Sequence, residues 1–154
     1  MSENVFTSSL HYRDPKAALS WLERVFGFET TMAIDGPPEA PEMCHYEMAI
    51  DGKGRVMVGA EWTGFAKSPA SVGGANTQRL HVQLDGSVDE HFEHAKAEGA
   101  QIEKEPEDQF YGDRSYIVAD LEGHRWTFAQ RVRDVSKEEA EAAIGQPITA
   151  TQWP

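Results

Sequence analysis

The chain contains one internal repeat, and that repeat constrains its fold more than any other feature. LHYRDPKAALSWLERVFGFE (10–29) and LHVQLDGSVDEHFEHAKAEGAQ (80–101) follow one plan: a strand, a turn with Asp, and an amphipathic helix stopped by glycine. In the first copy Ala17, Ala18, Trp21, Leu22 and Val25 recur at helical spacing, Pro15 suits the first helical turn, and Gly27 ends the run. In the second copy Val88, Phe92, Ala95 and Glu98 trace the helix and Gly99 ends it, 72 positions after Gly27. A unit of that length holds one helix and a few strands, too little to bury a core alone, so the two copies are expected to share one.

Three strand candidates follow each helix. Residues 28–34, 43–50 and 55–61 form the first set, with DGKG (51–54) as a hairpin turn. Residues 101–105, 115–119 and 124–131 form the second, with DLEG (120–123) as the matching turn. This predicts an α+β chain with a first βαβββ module at 1–62, a linker at 63–77, a second βαβββ module at 78–132 and a C-terminal extension at 133–154. The linker is rich in Gly, Ser and Pro and is expected to move. In the extension, Ser136 and Glu139 make a capping box for a short helix, and Trp153 is expected to pack, against a second subunit in one reading.

Composition removes several function classes. A net charge of −12 disfavours nucleic acid and anionic membranes as partners. Cys44 is the single cysteine, which excludes an internal disulfide and a cysteine-rich zinc site. No apolar stretch approaches bilayer length and no secretory signal is visible, so a cytoplasmic protein is expected.

The segments YRDPKAALSWLERVFGFE, HYEMAIDGKGRVMVG and YGDRSYIVADLEGHRWTF resemble the vicinal oxygen chelate superfamily, which includes glyoxalase I, bleomycin-resistance proteins and extradiol dioxygenases. The resemblance implies two modules whose curved mixed sheets form a cup, and a homodimer. Members that bind a metal hold it with four residues, on the first and last strands of each module. Alternation decides what stands at those places here. With Leu10 and Tyr12 under the first helix, Thr7, Ser9 and His11 face the cup; with Val56, Val58 and Ala60 packed, Met57, Gly59 and Glu61 face it. With Leu80, Val82 and Leu84 packed, Arg79, His81 and Gln83 face it; with Trp126 and Phe128 packed, Arg125, Thr127 and Ala129 do so.

The implied metal positions therefore fall on Thr7, on Met57 or Gly59, on Arg79 and on Thr127. Threonine is a poor ligand for zinc and its relatives, and a guanidinium cannot ligate. No cofactor is expected; a divalent metal held by His11, Glu61 and His81 at a displaced site is the alternative. The expected function is metal-independent binding of a small organic molecule, sequestering a drug or toxic metabolite. The binding residues would be Thr7, Ser9, His11, Glu61, Arg79, His81, Gln83, Arg125 and Thr127, with the two arginines meeting anionic or carbonyl oxygens. A metal-dependent glyoxalase-like lyase or isomerase is the rival reading.

Secondary features carry smaller expectations. His91 and His94 are placed on a solvated helix face, and Asp113 with Arg114 is expected to pin the loop QFYGDRS around Gly112. Phe110 and Tyr111 would line the mouth of the cup, and Trp62 with Phe65 would form a lid stacking on an aromatic ligand. No Ser–His–Asp triad or phosphate loop is present, and Cys44 has no activating neighbour.

Overall fold

The computed structural model describes residues 5–154. Each module is a four-stranded mixed sheet with one helix on its apolar side. The first consists of β1 (Ser8–Tyr12), α1 (Pro15–Phe26), β2 (Glu29–Ile34), β3 (His45–Ile50) and β4 (Lys53–Ala60), in the sheet order β1-β4-β3-β2. The second consists of β5 (Arg79–Gln83), α2 (Val88–Ala97), β6 (Gln101–Asp108), β7 (Asp113–Ala119) and β8 (Arg125–Arg131), in the order β5-β8-β7-β6. In each, the first and last strands run parallel and the rest antiparallel. A final helix, α3 (Lys137–Ile144), follows.

Local chemistry explains the element ends. The Asp14 side chain accepts the Ala17 N–H to cap α1, Pro15 opens its first turn, and Gly27 closes it in the left-handed region at φ 77°. Ser87 and Ser136 cap α2 and α3 in the same way. The β3–β4 turn tightens to two residues, Asp51 and Gly52, both at positive φ, the geometry that Asp-Gly favours. β6 and β7 extend beyond their expected limits because Gly112 (φ 104°) makes the intervening turn tight and bonds Gln109 O through its N–H.

The modules share one core along the helix-covered faces. Phe26 and Phe28 from the first meet Trp126 and Phe128 from the second, with ring centroids 4.8–6.2 Å apart. Here one expectation is corrected in part. His91 is half-buried against the end of α1, where its Nε2 donates to Phe26 O at 2.8 Å, while His94 stays exposed as expected and donates through Nε2 to Arg24 O at 2.7 Å. Helices leave their last carbonyls unpaired, and the histidines of α2 satisfy two of them. His91 Nδ1 meets Tyr116 Oη at 2.6 Å, and desolvation by burial holds the imidazole pKa below its usual value.

Three further expectations change. Asp113 pairs with Arg131 (3.0 Å), while Arg114 pairs with Asp89 and Asp108, so neighbouring residues on one strand point apart and do not join. The linker is fastened: Ala66, Ser68 and Pro69 are buried, and a short 3-10 turn at Pro69–Ser71 is capped by Ser68. Trp153 donates its indole N–H to Val135 O at 2.7 Å, so the tail folds back on its own chain.

Candidate functional site

The side chains opposite the helices follow the expected alternation. On the second sheet Arg79 stands beside Arg125, His81 beside Thr127 and Gln83 beside Ala129, in parallel register. On the first, Ser9 stands beside Met57 and His11 beside Gly59. Leu10, Tyr12, Val56, Val58, Trp126 and Phe128 are buried on the other side, which fixes the faces.

The donor set at the four family positions does not fit a metal. Thr7 Oγ1 accepts a hydrogen bond from Arg55 Nη2 at 3.2 Å. Met57 offers a thioether, Arg79 a cation, and Thr127 a neutral hydroxyl. The displaced alternative is not assembled within the chain. Among the described residues no three His, Cys, Asp or Glu side chains are grouped to hold an ion. Glu61, expected on the cup face, is turned into the linker: Oε2 accepts Ser68 N–H at 2.8 Å and Oε1 accepts Ser71 Oγ at 3.1 Å. The Ser68 amide holds the Glu61 carboxyl below its ordinary pKa, so Glu61 is a charged anchor for that turn.

Three cavities divide the remaining candidates. Ser9 and His11 line one with the linker residues Phe65, Val72 and Asn76. Arg79 and Arg125 line another with Ile117 and Asn76–Gln78. His81 and Gln83 border a third, at the junction of β4 and β5. His11 Nδ1 donates to Ala60 O at 3.2 Å, leaving Nε2 as its acceptor. Arg125 is held by Gly123 O (2.7 Å) and Glu103 (3.1 Å). Thr127 differs from all of these: it is 5% exposed, and its Oγ1 has no hydrogen-bond partner in the protein. A buried hydroxyl without a partner is costly, by about 1–3 kcal/mol, and its lone pairs and proton are available to a hydrogen-bonding group.

Of the aromatic candidates, Trp62 and Phe65 touch edge to face at 5.6 Å and are exposed, with Phe65 on the cavity that holds His11. Phe110 and Tyr111 pair in the same manner at the β6–β7 turn.

Two residues escaped the sequence reading. Glu47 is 6% exposed on β3, opposite Met57, and is paired with Arg55 at 3.3 Å. Its signal was available, since Tyr46 and Met48 in HYEMAI are core positions and put Glu47 on the opposite face. Asp120 is the second. Its Oδ2 accepts Tyr12 Oη (2.6 Å) and Trp126 Nε1 (3.1 Å), and its Oδ1 accepts the Glu122 and His124 N–H groups at 3.0 Å. Burial, then the Asp120 charge, holds the Tyr12 phenol pKa well above its ordinary value.

Known proteins show the same architecture. TioX from Micromonospora sp. ML1 is 34% identical, with a TM-score of 0.61 over 86% of this chain and 100% of its own. TnmS3, an antibiotic binding protein from Streptomyces sp. CB03234, shares the fold at 17% identity and a TM-score of 0.65, over 84% of this chain and 97% of its own. An uncharacterized protein of Mycobacterium tuberculosis, Rv0887c, is 38% identical over 135 residues, 85% of this chain and 76% of its own. The family profile of the Glyoxalase/Bleomycin resistance protein/Dioxygenase superfamily matches residues 7–128. The chain belongs to that superfamily.

Proposed function

We propose that the protein binds a small organic molecule on the concave face of its sheets, without a metal, and acts by sequestration. The observation that carries the reading is the Thr127 hydroxyl, buried and unpartnered, beside His81 and two residues along the strands from the Arg79–Arg125 pair. A ligand oxygen or N–H would complete Thr127 Oγ1, and the guanidiniums suit a carbonyl or anionic oxygen. Ser9, His11 and Gln83 supply further polar contacts. The antibiotic-binding activity of TnmS3 supports the same use of the fold.

Homodimerisation belongs to this reading, because a partner would cover the exposed Arg79, His81 and Gln83. Sedimentation should give twice the 17.1 kDa chain mass. The direct test is a thermal-shift screen of antibiotics and other aromatic compounds, repeated with Arg79→Ala and Thr127→Val. A hit whose shift disappears in both variants supports the site; a hit unchanged in both removes it. Stoichiometric zinc, nickel, manganese or iron in protein purified without chelator would overturn the metal-free reading.

A further inference from the structure

We infer a second ligand site, at the open end of the seam between the modules, which takes an apolar aromatic molecule carrying one acidic group. The cavity measures about 320 Å³, at the lower end of the roughly 300–1,000 Å³ of small-molecule sites. Its floor belongs to the helix-covered side of the sheets: Phe28, Met48, Val56 and Trp126, each under 7% exposed. Leu80 and Val82 form one wall and remain half-buried, although both point into the apolar layer. Arg55, His81 and Gln83 reach its rim from the concave face, so this site adjoins the concave-face site, while the apolar floor and Lys53 belong to it alone.

The cavity follows from a sequence difference between the modules. Val56 and Trp126 are equivalent, opposed on their neighbouring strands by Met48 and Val118. Two residues before Trp126 stands His124, whose ring packs on Tyr12 at 4.7 Å and fills the far end of the seam. Two residues before Val56 stands Gly54, at φ 68°, where an added Cβ would meet nothing within 4 Å. A missing side chain at Gly54 leaves the near end hollow.

Electrostatics sets the ligand's sign. The chain carries 26 acidic residues against 14 Lys and Arg, yet the lining includes Lys53, Arg55 and His81 and no Asp or Glu. Lys53 already holds Asp85 (2.7 Å) and Arg55 holds Glu47 (3.3 Å), so each cation is fixed at the rim with N–H groups to spare. Phe28 and Trp126, 5.3 Å apart, offer ring faces and edges for an aromatic body.

The probe is 1-anilinonaphthalene-8-sulfonate, titrated by fluorescence into the intact protein, with a cationic acridine dye of similar size as the comparison. The expected result is one saturable site per chain, at least tenfold preference over the cation, and energy transfer from tryptophan that falls in Trp126→Phe. Val82→Trp should weaken binding at least tenfold while the far-ultraviolet dichroism stays native. Lys53→Glu, at an exposed side chain that leaves the core intact, should weaken it several-fold even where Val82→Trp fails to fold. Arg79→Ala should leave it unchanged, so that loss of the concave site and loss of this one are told apart. Equal binding of the cationic dye, many sites per chain, or affinity indifferent to both Lys53→Glu and Val82→Trp would overturn the proposal.

Discussion

The two ends of the module seam are built from equivalent positions and have opposite contents. At one end Tyr12, His124 and Asp120 fill the space, and the Arg13 and Asp14 N–H groups close it by donating to Glu122 at 2.7 and 3.0 Å. At the other, Gly54, Ile50 and Leu84 stand in the corresponding places, and a single exposed Lys53–Asp85 pair spans the gap. The filled end is a buried polar network in which every donor finds an acceptor; the open end is an apolar hollow with a charged rim. A duplicated module therefore closes the seam at one end and leaves it open at the other.

The largest effect should come from removing the hub of the filled end. Asp120→Ala strands the buried Tyr12 hydroxyl, the Trp126 indole N–H and two turn amides, and should cost about 3–5 kcal/mol by urea denaturation. Lys53→Met at the open end should leave the melting temperature unchanged, because exposed ion pairs add little. Equal losses at both ends would break the contrast. Tyr12→Phe is milder: it removes one hydrogen bond to a carboxylate that keeps three others, and should cost about 1.5–3 kcal/mol.

Much of this architecture was legible in the sequence, because periodicity and glycine punctuation act locally. Pro15, Gly27 and the Asp51-Gly52 turn each carry a backbone preference that no tertiary contact has to supply. The faces of β1, β5 and β8 followed from alternation alone. What stayed hidden were side chains whose partners lie far along the chain. Glu61 reads as a cup residue on strand parity, but its fate depends on where Ser68 and Ser71 fold. His91 looks like a solvated helix residue until α1 ends beside it, 65 positions away. The seam cavity was invisible for the same reason, since it exists only where Gly54 meets β5.

Between the two ends, His91 makes the shared core sensitive to pH. Its folded pKa lies below the usual 6.5, so the unfolded chain binds more protons across the interval between the two values. Stability is full above about pH 6.5 and falls as pH drops through that interval, levelling off below the folded pKa, with a slope of at most about 1.4 kcal/mol per pH unit. Urea midpoints at pH 7.5 and 5.5 should show this loss, and His91→Phe should flatten it. An unchanged pH dependence in that variant would assign the slope elsewhere and leave the seam centre inert.

The smallest effect tests whether the open end is hollow. Val82→Leu adds one methylene to a wall that is half-buried and lines the cavity beside Leu80. In a packed core such an addition destabilises, because neighbours must leave their rotamers. In an apolar space of about 320 Å³ it buries new surface without strain and should raise stability, by up to about 0.8 kcal/mol. The equivalent enlargement at the filled end, Leu10→Phe, should lower it, since Leu10 is 4% exposed in the core cluster beside the fully buried Val58. Opposite signs from two enlargements at equivalent strands would show that the asymmetry lies in packing volume, and a loss from both would show that the open end is already full.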